Sequence, residues 1–218
     1  MTRPAILYWM LGAAILAAGA WLVCPAAQCS VPGFDRAGLG LAYQLRNDML
    51  NGLMSVVTRL GSIGFLLPLA CVGAAWLLLR RRSRESGFVL LALLGATALA
   101  QLVKLWVARP RPDIHAIWLP MPGDWSFPSA HSMQAAALAT ALFLVVTRQR
   151  AEWRVSLAML LAVLVVLVGL SRIYLQVHFP SDVLAGLLAG AFWVFGLHAL
   201  MFPRPAGFGQ DKATGDTA

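Results

Sequence analysis

The stretch Gly87–Val107, GFVLLALLGATALAQLVKLWV, carries Lys104 as its one charge and contains no proline. A run of roughly 20 such residues rises about 30 Å as a helix, the thickness of a bilayer's hydrocarbon core. It reads as a membrane-spanning helix. Working outward, similar apolar runs occupy 5–24, 61–79, 129–147 and 182–202, and 155–170 reaches the same length when extended to Tyr174. These spans predict an all-α polytopic membrane protein with six transmembrane helices, forming one domain over 1–202. Residues 203–218, rich in Gly, Pro and polar residues, are expected to be a disordered cytoplasmic tail.

Composition agrees. The 218 residues are 60% hydrophobic and 12% charged, where a soluble domain has about 25% charged residues. The net charge of +8 raises the question of nucleic acid. However, the cations sit in short loops between apolar runs, as topology requires, and not on one basic face. The lipid bilayer is the expected partner, and no nucleic acid is.

Loop charge sets orientation. Arg80, Arg81, Arg82 and Arg84 follow the second span, and Arg148, Arg150 and Arg154 follow the fourth. Both loops are predicted to be cytoplasmic, which puts both termini there too, with Arg3, Arg204 and Lys212 in agreement. The first span exceeds a signal-peptide core and is expected to remain as an uncleaved anchor. The outward connection Pro25–Arg59 has Leu41, Leu45, Met49, Leu53 and Val56 at helical spacing, which predicts one or two amphipathic helices at the membrane surface. Cys24 and Cys29 either pair there or stay as thiols.

With this topology, three sequence-distant groups of polar residues fall at the outward ends of spans three to six. They are Lys104 with Arg109, Arg111 and Asp113; Ser129, Ala130 and His131; and Ser171, Arg172, His178 and Asp182. Alone, Lys104 is an ordinary snorkelling lysine, and Arg111 and Arg172 are ordinary interfacial anchors. Together they form a cage for a phosphate, whose oxygens match the planar arginine fork. Pro128-Ser129 reads as a helix start, with Ser129 as cap and first-turn N–H groups that favour an anion. Asp182 falls in the first turn after Pro180, four residues past His178. Its carboxylate can accept the Nδ1 proton of His178 and free Nε2 as a nucleophile, or it can simply clasp the loop. His131 is then the candidate general acid. His131, His178 and Asp182 are also zinc-ligand types. Three fixed cations beside them repel a divalent ion and suit a phosphoryl transition state, so anion chemistry without metal or cofactor is expected. His115 and His198 are read as bystanders. The tryptophans suit interfacial belts or packing, and Gly186 and Gly190 suit close helix contact.

The three groups resemble the signature of the type 2 phosphatidic acid phosphatase superfamily. Lys104 through Arg111-Pro112 matches its first element, Pro128-Ser129-Ala130-His131 its second, and Ser171-Arg172, His178 and Asp182 its third. Thr58 to Ser62 resembles the segment that opens the second helix in bacterial members. The one departure is Ala130 in place of the usual glycine, which keeps the N–H donor but adds a Cβ.

The resemblance implies a lipid phosphatase of a bacterial-type inner membrane, with its site on the extracytoplasmic side. His178 would form a phosphohistidine, Asp182 would orient it, and His131 would protonate the leaving group. Lys104, Arg111, Ser129, Arg172 and the N–H of Ala130 would hold the phosphate, without metal. Undecaprenyl pyrophosphate, phosphatidylglycerol phosphate and phosphatidic acid are the substrate types implied. A lipid phosphotransferase fits the same signature. A non-catalytic lipid-binding protein or transporter fits less well, because the polar cluster lies at one face and not at midplane.

Overall fold

The computed structural model describes residues 2–118 and 120–203. Among them there is no strand. Eight helices follow in order: α1 Arg3–Val23, α2 Gly33–Gln44, α3 Asp48–Arg59, α4 Ile63–Leu79, α5 Ser83–Val107, α6 Ala130–Thr147, α7 Arg154–Tyr174 and α8 Pro180–Met201. The expected tail beyond Pro203, with Arg204 and Lys212, lies outside the described residues.

Helices α1, α5, α6, α7 and α8 are long and apolar enough to cross a membrane. Helix α4 has 17 residues, about 26 Å at 1.5 Å per residue, slightly less than the hydrocarbon core. It meets α3 at a 45° bend, and the bent pair together completes a sixth candidate span. The chain is an integral multi-pass membrane protein.

Helix ends differ from the expected bounds where polar residues continue a helix. Helix α5 begins at Ser83, four residues earlier, with Arg82 paired to Glu85 at 3.1 Å and the Ser86 hydroxyl donating to Ala74 O at 2.9 Å. Helix α8 begins at Pro180, where proline's fixed φ and missing N–H cost nothing. The connection between α1 and α4 holds two amphipathic helices, α2 and α3. Leu41, Leu45, Met49, Leu53 and Val56 are all at least half exposed, as expected of residues facing lipid rather than a protein core. Cys24 and Cys29 are paired in a disulfide.

Apolar burial does not drive helices together inside lipid, so close packing of small residues must do so. Helix α8 lies against α6 through Gly186 and Gly190. A Cβ on Gly186 would sit 2.7 Å from Ser129 O, and one on Gly190 would collide with the carbonyl of Met133. On its other side, the Trp9 and Trp193 rings stack at 5.8 Å, and Trp9 Nε1 donates to Trp193 O.

The ends of the bundle are distinct. Arg84 and Arg148 both lie over the Phe202 ring, at 5.6 and 4.4 Å. The Thr2 hydroxyl donates to Ala199 O. Both arginine-rich turns and both ends of the helical body therefore share one end. The C-termini of α5 and α7 and the N-termini of α6 and α8 share the other.

Gly190→Ala is expected to lower thermal stability in detergent, by about 1–3 kcal/mol for an overpacked contact. Gly73→Ala, whose Cβ would meet nothing within 4 Å, is expected to leave the melting temperature unchanged or slightly raised.

Candidate active site

Two left-handed residues aim the chain into the site. Ala108, at φ 50°, ends α5 and turns Arg109 inward. Gln176, at φ 61°, ends the turn after α7, and its amide donates to Leu39 O and Ile173 O at 3.1 Å. Each left-handed residue costs about 1–2 kcal/mol, offset by the bonds it permits. Gln176 thereby ties the turn that carries His178 to α2.

His178 is 1% exposed. Its Nε2 lies 3.1 Å from Arg111 Nη1. Its Nδ1 is 3.6 Å from Asp182 Oδ2, longer than a good hydrogen bond. Ser126 stands between them: its hydroxyl donates to Asp182 Oδ2 and lies 3.4 Å from His178 Nδ1. Asp182 also accepts the Phe179 N–H at 3.0 Å, so it caps the first turn of α8. Burial pushes the His178 imidazole well below its usual pKa, and the charges of Arg111, Arg172, Lys104 and His131 push it the same way. The expected nucleophile and the expected cations thus share one electrostatic environment.

Lys104 does not snorkel. It is 1% exposed and pairs with Asp124 at 2.9 Å, and it also donates to Trp125 O. Arg111 pairs with the other oxygen of the same carboxylate, while its Nε donates to Asp124 O at 2.8 Å and its Nη1 to Val177 O at 2.6 Å. Partial burial raises the pKa of Asp124, but the hydrogen bonds and charges of Lys104 and Arg111 prevail and hold it at about 2. Arg172 donates to the Thr58 hydroxyl at 2.6 Å, so the segment that opens the second span touches the site. Ser129 caps α6: its side chain accepts from Ser132 N, and its own N–H donates to Asp182 O at 3.0 Å. His131 sits half-buried in the first turn of α6, and a Cβ on Gly61 would lie 3.4 Å from its Cβ.

Each predicted site residue therefore lies at this one end, with Ala130 as the first residue of α6. Asp113 and His115 stand apart, in the loop beyond Arg111, where the His115 ring stacks on Tyr43 at 4.4 Å. Sequence reasoning missed Asp35, Asp124, Ser126 and Ser181, named Thr58 only as part of the segment that opens the second span, and gave Arg109 no particular role. Arg109 is 1% exposed and donates to Asp182 Oδ1 at 2.6 Å and Asp35 Oδ2 at 2.8 Å. Arg109, Asp124 and Ser126 lie on loops, Asp35 and Thr58 on the helices of the first connection, and Ser181 in the first turn of α8; at each place a lone polar side chain carries no spacing signal.

The depressed pKa makes a check on His178. An exposed histidine titrates near 6.5, whereas His178 is expected to stay neutral as the pH falls through that value, as imidazole nitrogen NMR of the folded protein would read. A group whose folded pKa is depressed stabilises the fold above its unfolded value, so this contribution is lost as pH falls below about 6.5.

The model of the PAP2 superfamily matches residues 85–206. Phosphatidylglycerophosphatase B of Bacillus subtilis is 36% identical over 169 residues, covering 76% of this chain and 82% of that protein. Undecaprenyl-diphosphatase of Sulfolobus acidocaldarius is 33% identical over 150 residues, covering 66% and 67%. The crystal structure of a transmembrane PAP2 type phosphatidylglycerolphosphate phosphatase from Bacillus subtilis superposes with a TM-score of 0.77 at 29% identity, over 91% of this chain and 96% of that one. The chain belongs to the PAP2 superfamily and is one of its membrane-embedded phosphatases.

Proposed function

We propose that this chain hydrolyses a phosphate from a bilayer-borne lipid phosphate or lipid pyrophosphate, with His178 as nucleophile and without metal. The observation that carries the reading is Arg111 Nη1 at 3.1 Å from His178 Nε2, with Lys104 and Arg172 in the same buried cluster. The nitrogen that would attack faces the cations that would hold the phosphate. Arg172 Nε is buried without a hydrogen-bond partner, a donor suited to an incoming oxygen.

In the first step the Nε2 lone pair attacks phosphorus. The bond from phosphorus to the lipid oxygen breaks, and His131 donates a proton to that oxygen. His178 Nδ1 keeps its proton through both steps, facing the Asp182 carboxylate that Ser126 fixes. In the second step His131 takes a proton from water, the water oxygen attacks phosphorus, and the nitrogen–phosphorus bond breaks to release inorganic phosphate. Lys104, Arg111, Arg172, Ser129 and the Ala130 N–H carry the charge that spreads over the equatorial oxygens. The relatives' names, phosphatidylglycerophosphatase and undecaprenyl-diphosphatase, make phosphatidylglycerol phosphate and undecaprenyl pyrophosphate the first substrates to try, with phosphatidic acid next. Two features support a site on the extracytoplasmic face of a bacterial-type inner membrane. The arginine-rich turns lie at the opposite end, as for cytoplasmic loops. The Cys24–Cys29 disulfide lies in the first outward connection and suits an oxidising compartment.

Detergent-purified protein is expected to release phosphate from these lipids with chelator present. His178→Ala is expected to fall to background, and His131→Asn to lose about 10²- to 10⁴-fold, as for removal of a general acid. Full activity in the His178 variant, or loss with chelator alone, would refute the mechanism. Because Asp124 already engages Lys104 and Arg111, an entering oxyanion competes with it. Asp124→Asn is expected to tighten inhibition by phosphate or vanadate about tenfold, or 1.4 kcal/mol; weaker inhibition would count against that competition.

A further inference from the structure

Asp182 is held from both sides. Its Oδ2 takes the Ser126 hydroxyl and the Phe179 N–H, and its Oδ1 takes Arg109 at 2.6 Å. The second amino group of Arg109 donates to Asp35 Oδ2 at 2.8 Å, and Asp35 lies in the first turn of the surface helix α2. Ser181 closes the ring: its N–H donates to Asp35 Oδ1 at 2.8 Å, its hydroxyl donates to Asp35 Oδ2 at 2.7 Å, and its Oγ accepts from Arg109 at 2.9 Å. The Arg109 guanidinium lies 3.9 Å from the centre of the Phe179 ring, and its carbonyl accepts the Ser126 N–H at 2.8 Å. Asp35 and Asp182 are fully buried, and Arg109 is 1% exposed.

Two carboxylates buried side by side repel each other unless a cation lies between them. The fork of Arg109 bonds both at once, which a lysine's point charge does not match. Arg109 is not among the cations that face His178 Nε2; it stands behind Asp182, on the far side from the imidazole. Its backbone fixes Ser126, and its side chain fixes the other oxygen of the carboxylate that Ser126 holds. The arrangement therefore fixes the position of the group that faces His178 Nδ1 and sets a cation against its other oxygen.

We infer that Arg109, clamped by Asp35 of α2, is a positioning residue for the reaction: it holds Asp182 aimed at His178, and so makes the surface helix part of the catalytic apparatus. The inference rests on the reading of His178 as nucleophile. Besides Asp35, Arg109 and His178, the charged or titratable groups around this centre are Lys104 of α5, Arg111 and Asp124 of the following loop, His131 of α6 and Arg172 of α7. These stay in place in the variants below.

Arg109→Ala alone leaves two facing carboxylates and tests folding as much as catalysis. The paired variant Asp35→Asn/Arg109→Gln keeps one net negative charge in the triad, as in wild type, and keeps the side chains close to their original size. It is expected to melt in detergent within a few degrees of wild type. Its kcat should be about 10- to 100-fold lower, the scale of a misplaced catalytic group, with KM changed by less than about threefold. The acid limb of kcat/KM should move to higher pH, because a carboxylate without its guanidinium takes up a proton more readily. Asp35→Asn alone leaves Arg109 on Asp182 and should show a smaller loss in the same direction. A folded paired variant with wild-type kcat and an unmoved acid limb would overturn the inference. If the pair does not fold, wild-type values in Asp35→Asn would do the same. Wild type and His178→Ala run beside them: if these two release phosphate equally, the reading of His178 fails instead.

Discussion

Like charges crowd around a buried imidazole here, and the fold is arranged to tolerate that. Lys104, Arg111 and Arg172 all press on His178, in a setting too dry for solvent to screen them. Such a set stays put only if negative groups stand close by. Asp124 bridges Lys104 and Arg111, and Asp182 and Asp35 share Arg109. The site is thus two interleaved ionic assemblies that meet at one histidine, not a loose ring of cations.

Helix direction builds this cheaply. Helices α5 and α7 arrive with Lys104 and Arg172 in their last turns, where the helix dipole favours cations. Helices α6 and α8 depart from the same level with Ser129 and Asp182 satisfying exposed N–H groups. The small residues of α8 let α6 come close enough for Ser129 N to reach Asp182 O. The packing that holds the bundle together in lipid therefore also sets the distance between the second and third sequence elements.

Hydropathy made the spans legible, because a bilayer demands length and apolarity before anything else. The spacing of Lys104, Arg111, Ser129, His131, Arg172, His178 and Asp182 made the cluster legible once the topology put their helix ends on one side. Position alone could not decide Lys104: a lysine near a helix end either snorkels or turns inward, and the partner that decides lies on a distant loop at Asp124. Asp35 reads as an ordinary acidic residue in the first turn of an amphipathic helix, and only the packing of α2 over the site reveals it as buried. Nor does the sequence offer a glycine where α5 ends. Ala108 takes the left-handed turn itself, which leaves no local sign that the next residue points inward.

The carboxylate at 124 gives the pocket its own resident counterion. With a pKa of about 2, it is charged near neutral pH, so the two basic groups it engages have an anionic partner within the chain itself. Filling the pocket is then an exchange of one anion for another. The change in local field is smaller than in a bare basic cavity, and occupancy should respond only weakly to ionic strength.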